Sequence, residues 1–368
     1  MTSILDLLLC GDMMNLPRIA TMISDQDFHY IDHLAPLSSL LEVPMVLSDE
    51  RLMELVNTYY PEVKINLLFP LELPQYLVSE FEMILTCLPT PLFKSIVYAA
   101  ELINHKTLIN VWCPHGNSDK GHKGPYMEEL NQEKVALVYG EKMISFLSDK
   151  GSYNQLEKVC ITGNYRYRYY RERKKYLDDQ LAPFLPKKSL PTILYAPTWN
   201  DNENNSSFDQ VSKMLIEMLP DDLNLIIKLH PNIFASPELL EVYRDIHSKK
   251  ENLSILPEFP SVYPILDHVD FYLGDMSSIG YDFLTFRKPM FFLNTNQRDP
   301  QNDLSLYLTQ CGRVIEPEDF GAIYSIIKED DSSMYTKKQE ILYHSVFGKE
   351  EKIKEGLNTY YEQFIHSC

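Results

Sequence analysis

Phe271-Tyr-Leu-Gly-Asp-Met-Ser-Ser-Ile-Gly-Tyr-Asp-Phe283, continuing to Lys288-Pro-Met-Phe-Phe292, reads as a buried strand, a sharp polar turn, a helix and a second short apolar strand. The first apolar run stops at Gly274 and Asp275. Ser277 and Ser278 then fall where a helix N-cap belongs. A helix start of this kind presents backbone N–H groups and the positive end of the helix dipole, which suits an anion such as a diphosphate. Ser and Asp also favour helix starts with no ligand at all. Taken alone, the stretch fixes a strand–turn–helix order and no more.

Three other strand ends share its character. Residues 108–112 form an apolar run into Cys113-Pro-His115-Gly116-Asn-Ser-Asp-Lys120-Gly121. Residues 192–196 run into Pro197-Thr198-Trp199-Asn200, and residues 223–229 into His230-Pro231. In open α/β sheets ligands bind at the carboxyl ends of strands. Four polar turns in the same relation to their strands predict a crevice lined from two parts of the chain.

The remaining pattern supports an α/β fold. In the first half, residues 4–10, 29–34, 44–47, 63–69, 135–139 and 159–163 read as further strands. Helical spacing covers residues 16–23, 49–60 and 92–102. In the second half, residues 208–218 read as a helix, with strands at 253–256 and 290–293. This alternation predicts mostly parallel sheets. The expected organisation is a first domain over 1–176, a linker over 177–190, a second domain over 191–345 and a C-terminal helix over 346–368 that packs back on the first. His29, Asp32 and His33 lie close together, but such a cluster in a loop reads as surface chemistry.

Composition narrows the classes of function. A hydrophobic share of 45% and a charged share of 23% over 368 residues fit a globular protein of two ordinary domains. No apolar run approaches the roughly 20 residues that span a bilayer, and no basic n-region precedes an apolar core at the N-terminus. The expected setting is cytoplasmic, with peripheral contact at a membrane as the one association left open. Six scattered cysteines, with no Cys-x-x-Cys pair, argue against a disulfide framework or a zinc knuckle. Cys113, His115 and His122 match no zinc spacing, so no metal site is expected. A net charge of −18 disfavours nucleic acid. The basic run from Arg166 to Lys175 reads as one face of a surface helix. With 13 glycines and no Gly-x-Gly-x-x-Gly loop, phosphate must be held by helix starts and side chains.

Together these motifs resemble the CDP-glycerol glycerophosphotransferases, the enzymes that prime and extend teichoic acid polymers. The resemblance rests on His115-Gly116-x-x-x-Lys120, Tyr195-Ala-Pro197-Thr198-Trp199, Leu229-His230-Pro231, and Asp275-x-Ser277-Ser278-x-x-x-Asp282-Phe283 with Lys288-Pro289. Thr162-Gly163-x-x-Arg166 is similar to the family's turn before its linker. The sequence departs from the family at Asn200, where an Arg is usual, and along residues 294–312.

The resemblance implies a GT-B fold, with two Rossmann-like domains facing across a cleft. It implies a CDP-activated alditol donor against the second domain, and a polymer, glycolipid or glycan acceptor entering from the first. Transfer of a glycerophosphate needs a base for the acceptor hydroxyl, and His115 suits it. His230, Ser277 and Ser278 can neutralise charge growing on the diphosphate. Lys120 and Thr198 complete the expected donor contacts, and Asp282 is assigned to ribose hydroxyls. Gly116, Pro197, Pro231, Gly163 and Arg166 shape the supporting turns. No cofactor is required, though Mg²⁺ can accompany the diphosphate. A nucleotide-sugar glycosyltransferase or epimerase of the same fold, or a non-catalytic nucleotide-binding protein, are the alternatives.

Overall fold

The structure is a computed structural model. It describes residues 16–24, 27–119, 130–199, 206–230, 250–256 and 259–367. The expected strand at 4–10 lies outside these residues, as do Lys120, His122, Asn200 and Pro231.

Among the described residues, two parallel sheets carry the chain. The first has seven strands: β1 (Ile19–Ile23), β2 (Met45–Leu47), β3 (Ile65–Leu67), β4 (Met83–Thr86), β5 (Ile109–Trp112), β6 (Val135–Val138) and β7 (Lys158–Ile161). Their order is β3-β2-β1-β4-β5-β6-β7. The second has six: β8 (Thr192–Ala196), β9 (Asn224–Lys228), β10 (Leu253–Leu256), β11 (Phe271–Gly274), β12 (Met290–Leu293) and β13 (Arg313–Ile315), in the order β10-β9-β8-β11-β12-β13. Most strands read as unbroken apolar runs because helices cover both faces of each sheet. Ile19–Ile23 is buried along its whole length, as is Thr192–Ala196. The expected α/β class and GT-B arrangement of two Rossmann-like sheets are present.

Several local readings are corrected. Residues 19–23 are a strand rather than part of a helix; Ile and Thr favour the pleated surface, and β1 pairs with both β2 and β4. Residues 29–34 are not a strand: a 3-10 turn (Phe28–Tyr30) leads into the helix Ile31–Leu41. β4, the helix Leu73–Glu80 and β13 are additional elements. The helix Glu50–Tyr59 follows its sequence signal closely, because the Asp49 side chain accepts from the Arg51 and Leu52 amides. Part of the expected linker is the helix Lys174–Leu181.

Strand order decides where a ligand can sit. In each sheet the direction of winding reverses beside a central strand, between β1 and β4 in the first and between β8 and β11 in the second. The carboxyl ends of these strands are the crevices of a doubly wound sheet.

The halves are joined by packing rather than by a slack tether. One apolar cluster runs through both, from Tyr60, Tyr165 and Tyr170 to Phe259, Tyr263 and Tyr281. The helix Tyr165–Glu172 lies inside this seam, with Tyr165, Arg166, Tyr169 and Tyr170 buried. The expected basic face is present in Arg171, Arg173, Lys174 and Lys175, which are exposed, but Arg166 is corrected: it is buried with the tyrosines in the interface. At the other end of the chain, Gly348 donates to the Tyr139 carbonyl at 3.0 Å and Glu351 to that of Ile161 at 2.8 Å. The helix Ile353–Ser367 then packs on β7, where Tyr360 donates to Glu157 at 2.9 Å. Among the described residues no helix is long and apolar enough to cross a membrane.

Candidate active site

Each sheet delivers polar groups from its strand ends to one place. β5 ends at Trp112, and the backbone beyond it is tied down. The Tyr139 hydroxyl donates to the Pro114 carbonyl at 3.3 Å and meets His33 Nδ1 at 2.5 Å. His115 follows on this anchored segment. From the second sheet, β9 ends at Lys228, and His230 stands two residues beyond.

A third histidine joins them. The His29 ring lies 5.3 Å from that of His115, edge to face at 79°, and 6.0 Å from that of His230. Tyr30 is 5.2 Å from His115, and Trp199 is 6.2 Å from His230. His29 and His115 come from the first sheet, His230 and Trp199 from the second, so the cluster spans the two halves. Burial, reinforced by repulsion from His115 and His230, lowers His29 to about 3. Its neutral imidazole is the favoured form. The surface role expected for His29 is corrected by its place in this cluster. Had residues 19–23 been recognised as a strand, His29 would have stood among the polar groups beyond a strand end.

The neighbouring residues of that segment are not at the surface either. Asp32 and His33 are buried, at 5% and 6% exposure. The Arg166 guanidinium bridges Asp32 and Asp282. Its Nη1 donates to both Asp282 oxygens at 3.0 Å, its Nε donates to Asp32 Oδ2 at 3.1 Å, and its Nη2 also donates to Asp32. Tyr60 donates to Asp32 at 2.9 Å and Tyr263 to Asp282 at 3.2 Å. This arrangement corrects the ribose role expected for Asp282, whose carboxylate is enclosed and committed to Arg166. It also corrects Arg166 from a turn residue to the centre of a buried charge network. Burial raises the Asp282 carboxyl, with Arg166 opposing. Enclosure beside the same network lowers the Lys228 ammonium to about 8, against the pull of Asp32 and with the push of Arg166.

The opening motif supplies the facing wall. Asp275 is buried and accepts from the Thr198 amide at 2.8 Å, the Ser207 amide at 2.8 Å and the Ser207 hydroxyl at 2.9 Å. This welds the Pro197-Thr198 turn of β8 to the end of β11. Ser277 takes the N-cap position of the short helix Ser278–Phe283 with extended backbone, but its hydroxyl makes no capping bond. Plain capping therefore does not account for it. Beyond β12, a small open pocket is lined by Asp275, Asn294, Thr295, Asn296, Arg298 and Thr309, among others.

The two walls touch. Gly116 has φ +132°, and a Cβ there would lie 2.9 Å from the Ser278 Cβ. Gly116→Ala is thus both strained and too large, and it should push His115 away from Ser278. A displacement of this kind costs about 10²-fold in turnover. The check is steady-state turnover beside a thermal melt; unchanged turnover would show that the contact does not set the site. Asp119 adds a second tie, accepting from Tyr281 at 2.5 Å and the Leu308 amide at 3.1 Å while paired with Lys142 at 2.7 Å. Gly163, with φ +59°, instead packs against the Gly348 carbonyl, so it shapes the crossing of the C-terminal segment.

The described site therefore brings together His115, Gly116, His230, Thr198, Ser277 and Ser278, and adds His29. Cys113 is buried, and burial holds its thiol protonated.

Comparison with known proteins agrees with this architecture. The chain is 25% identical over 224 residues to the teichoic acid ribitol-phosphate polymerase TarK of Staphylococcus aureus (strain NCTC 8325 / PS 47), covering 54% of this chain and 41% of the relative. It is 24% identical over 220 residues to TarL of the same organism, covering 54% and 37%. The chain thus spans less than half the length of these curated relatives. Among solved structures, the wall teichoic acid polymerase TagF superposes with a TM-score of 0.63 at 15% identity, covering 95% of this chain and 90% of that one. The S. aureus MnaA–UDP co-structure superposes with a TM-score of 0.57 at 16% identity, covering 95% and 97%. Residues 128–341, more than half of the chain, match the family described as CDP-Glycerol:Poly(glycerophosphate) glycerophosphotransferase. The chain belongs to that family of glycerophosphotransferases.

Proposed function

We propose that this chain transfers an alditol phosphate from a CDP-activated donor to an acceptor hydroxyl and releases CMP. The observation that carries the proposal is the approach of His115 and His230 to the same ring, His29, with one of the two from each sheet, and the Gly116–Ser278 contact beside His115. In this reading the half up to residue 176 takes the acceptor, and the half from 191 to 345 takes the nucleotide donor.

The chemistry follows from what these groups can do. His115 accepts the proton of the attacking hydroxyl as the new O–P bond forms. His230 and the Ser277 and Ser278 hydroxyls stabilise charge on the diphosphate as the bond to CMP breaks. Mg²⁺ bound by the diphosphate would add to that stabilisation, and chelation with EDTA tests for it. The relatives TarK and TarL are named for ribitol phosphate, so both CDP-ribitol and CDP-glycerol belong in the assay. The acceptor class in this reading is a polymer, glycolipid or glycan bearing a free hydroxyl.

The test is a donor screen that separates free CMP, UDP and UMP. CMP from a CDP-alditol, dependent on added acceptor, is the expected result. No CMP from either CDP-alditol, with clear UDP release from a UDP-sugar, would replace this reading with the nucleotide-sugar alternative.

A further inference from the structure

His29 is the part of the cluster that the family motifs do not include. It sits on the 3-10 turn Phe28–Tyr30 at the switch-point end of β1, so it enters from a different strand than His115. Its turn runs directly into the helix Ile31–Leu41, whose Asp32 is gripped by Arg166. His115 packs against two adjoining rings of this turn, His29 at 5.3 Å and Tyr30 at 5.2 Å. His230 approaches His29 from the other half at 6.0 Å.

We propose that His29 is a positioning residue for the transfer reaction: an imidazole packed against both His115 and His230 that holds their rings in register across the cleft. The inference rests on the transferase reading above. Two histidines that both bind anionic phosphate or take up protons repel each other when charged. A neutral ring packed against both adds no third charge. The titratable groups around His29 are His115 from the turn after β5, His230 from the end of β9, and Tyr30 and His33 from its own segment. The two cleft histidines hold His29 in its neutral form alongside burial.

Three variants of the full chain separate charge, ring and polarity. His29→Gln removes the ring; turnover should fall about 10²-fold with donor KM within about threefold, as expected for lost alignment rather than lost binding. His29→Phe restores a ring of similar size and should recover most of that loss. His29→Arg places a fixed cation beside His115 and His230, which should lower their titration midpoints by at least about one pH unit. Those midpoints are read by histidine-ring NMR on the protein without substrate. Parent-like turnover in His29→Gln, or unmoved midpoints in His29→Arg, would overturn the proposal. So would a His29→Gln loss accompanied by a collapsed melting temperature and no recovery in His29→Phe. If the parent releases no CMP from any CDP-alditol, the transferase reading fails, and the NMR midpoints still decide whether His29 packs against both rings.

Discussion

His115→Ala should lower CMP release by about 10²–10⁴-fold, the range expected when a general base is removed, while leaving the fold and donor KM nearly unchanged. The asymmetry follows from what surrounds the residue. The structural work of its segment is done by neighbours: Cys113 in the core, the Pro114 carbonyl bonded by Tyr139, and Asp119 tied to Lys142 and Tyr281. The His115 ring itself meets His29 and Tyr30 at the cleft. Truncation removes a proton acceptor and little packing. His115→Gln should fail equally, because an amide keeps hydrogen bonding but cannot take up the proton. The measurement pairs steady-state CMP release with a thermal melt. Turnover within tenfold of the parent would remove His115 from the role of base; a melting temperature well below the parent would make it structural instead.

How much of this site the sequence disclosed depends on the kind of signal each residue sends. His115, Thr198, His230 and Ser277 each follow an apolar run that is buried on both faces, so their places at strand ends were legible. His29 was hidden by a local ambiguity. The run Ile19-Ala-Thr-Met-Ile23 is too short to separate helix from strand by period, and only its pairing with β2 and β4 settles it. Once β1 was misplaced, the turn after it could not be recognised as a site. Asp282 failed for a different reason. Its position one turn into a helix was correctly placed, but its partner, Arg166, is 116 residues earlier in the chain. No sequence period reports such a contact. The Tyr165–Arg173 segment likewise reads as amphipathic and basic, and only the closing of the two halves shows that one of its cations, Arg166, is consumed by Asp32 and Asp282.

That buried network carries the largest expected effect on stability. Arg166→Met should destabilise the folded chain by about 3–5 kcal/mol, the cost of leaving a buried ion pair with one partner removed. Arg166 is 4% exposed and holds two carboxylates that are each 7% exposed at the side chain. Without it, Asp32 and Asp282 face each other as like charges in the seam between the halves. The loss should show a distinct pH dependence. Burial already raises Asp282 even with Arg166 beside it, and deleting the cation raises its folded-state value further above the unfolded one. The folded variant then binds more protons than the unfolded chain, so its stability rises as pH falls. The Arg166→Met penalty should therefore be smaller at pH 5 than at pH 8. Asp282→Asn in the same background removes one of the two charges and should restore part of the stability at pH 8. Arg166→Lys keeps the charge without the planar fork that reaches both carboxylates, and should fall between parent and Met. Chemical denaturation at the two pH values reads all of these. A penalty that is equal at pH 5 and pH 8 would mean that lost packing against Tyr263, 5.3 Å from the guanidinium, outweighs the charges. Because Asp32 anchors the segment carrying His29 and Asp282 lies on the helix that begins at Ser278, the same substitution should also loosen the register of the two cleft walls. Turnover of Arg166→Met, measured well below its melting temperature, should therefore fall more than the folded fraction alone requires.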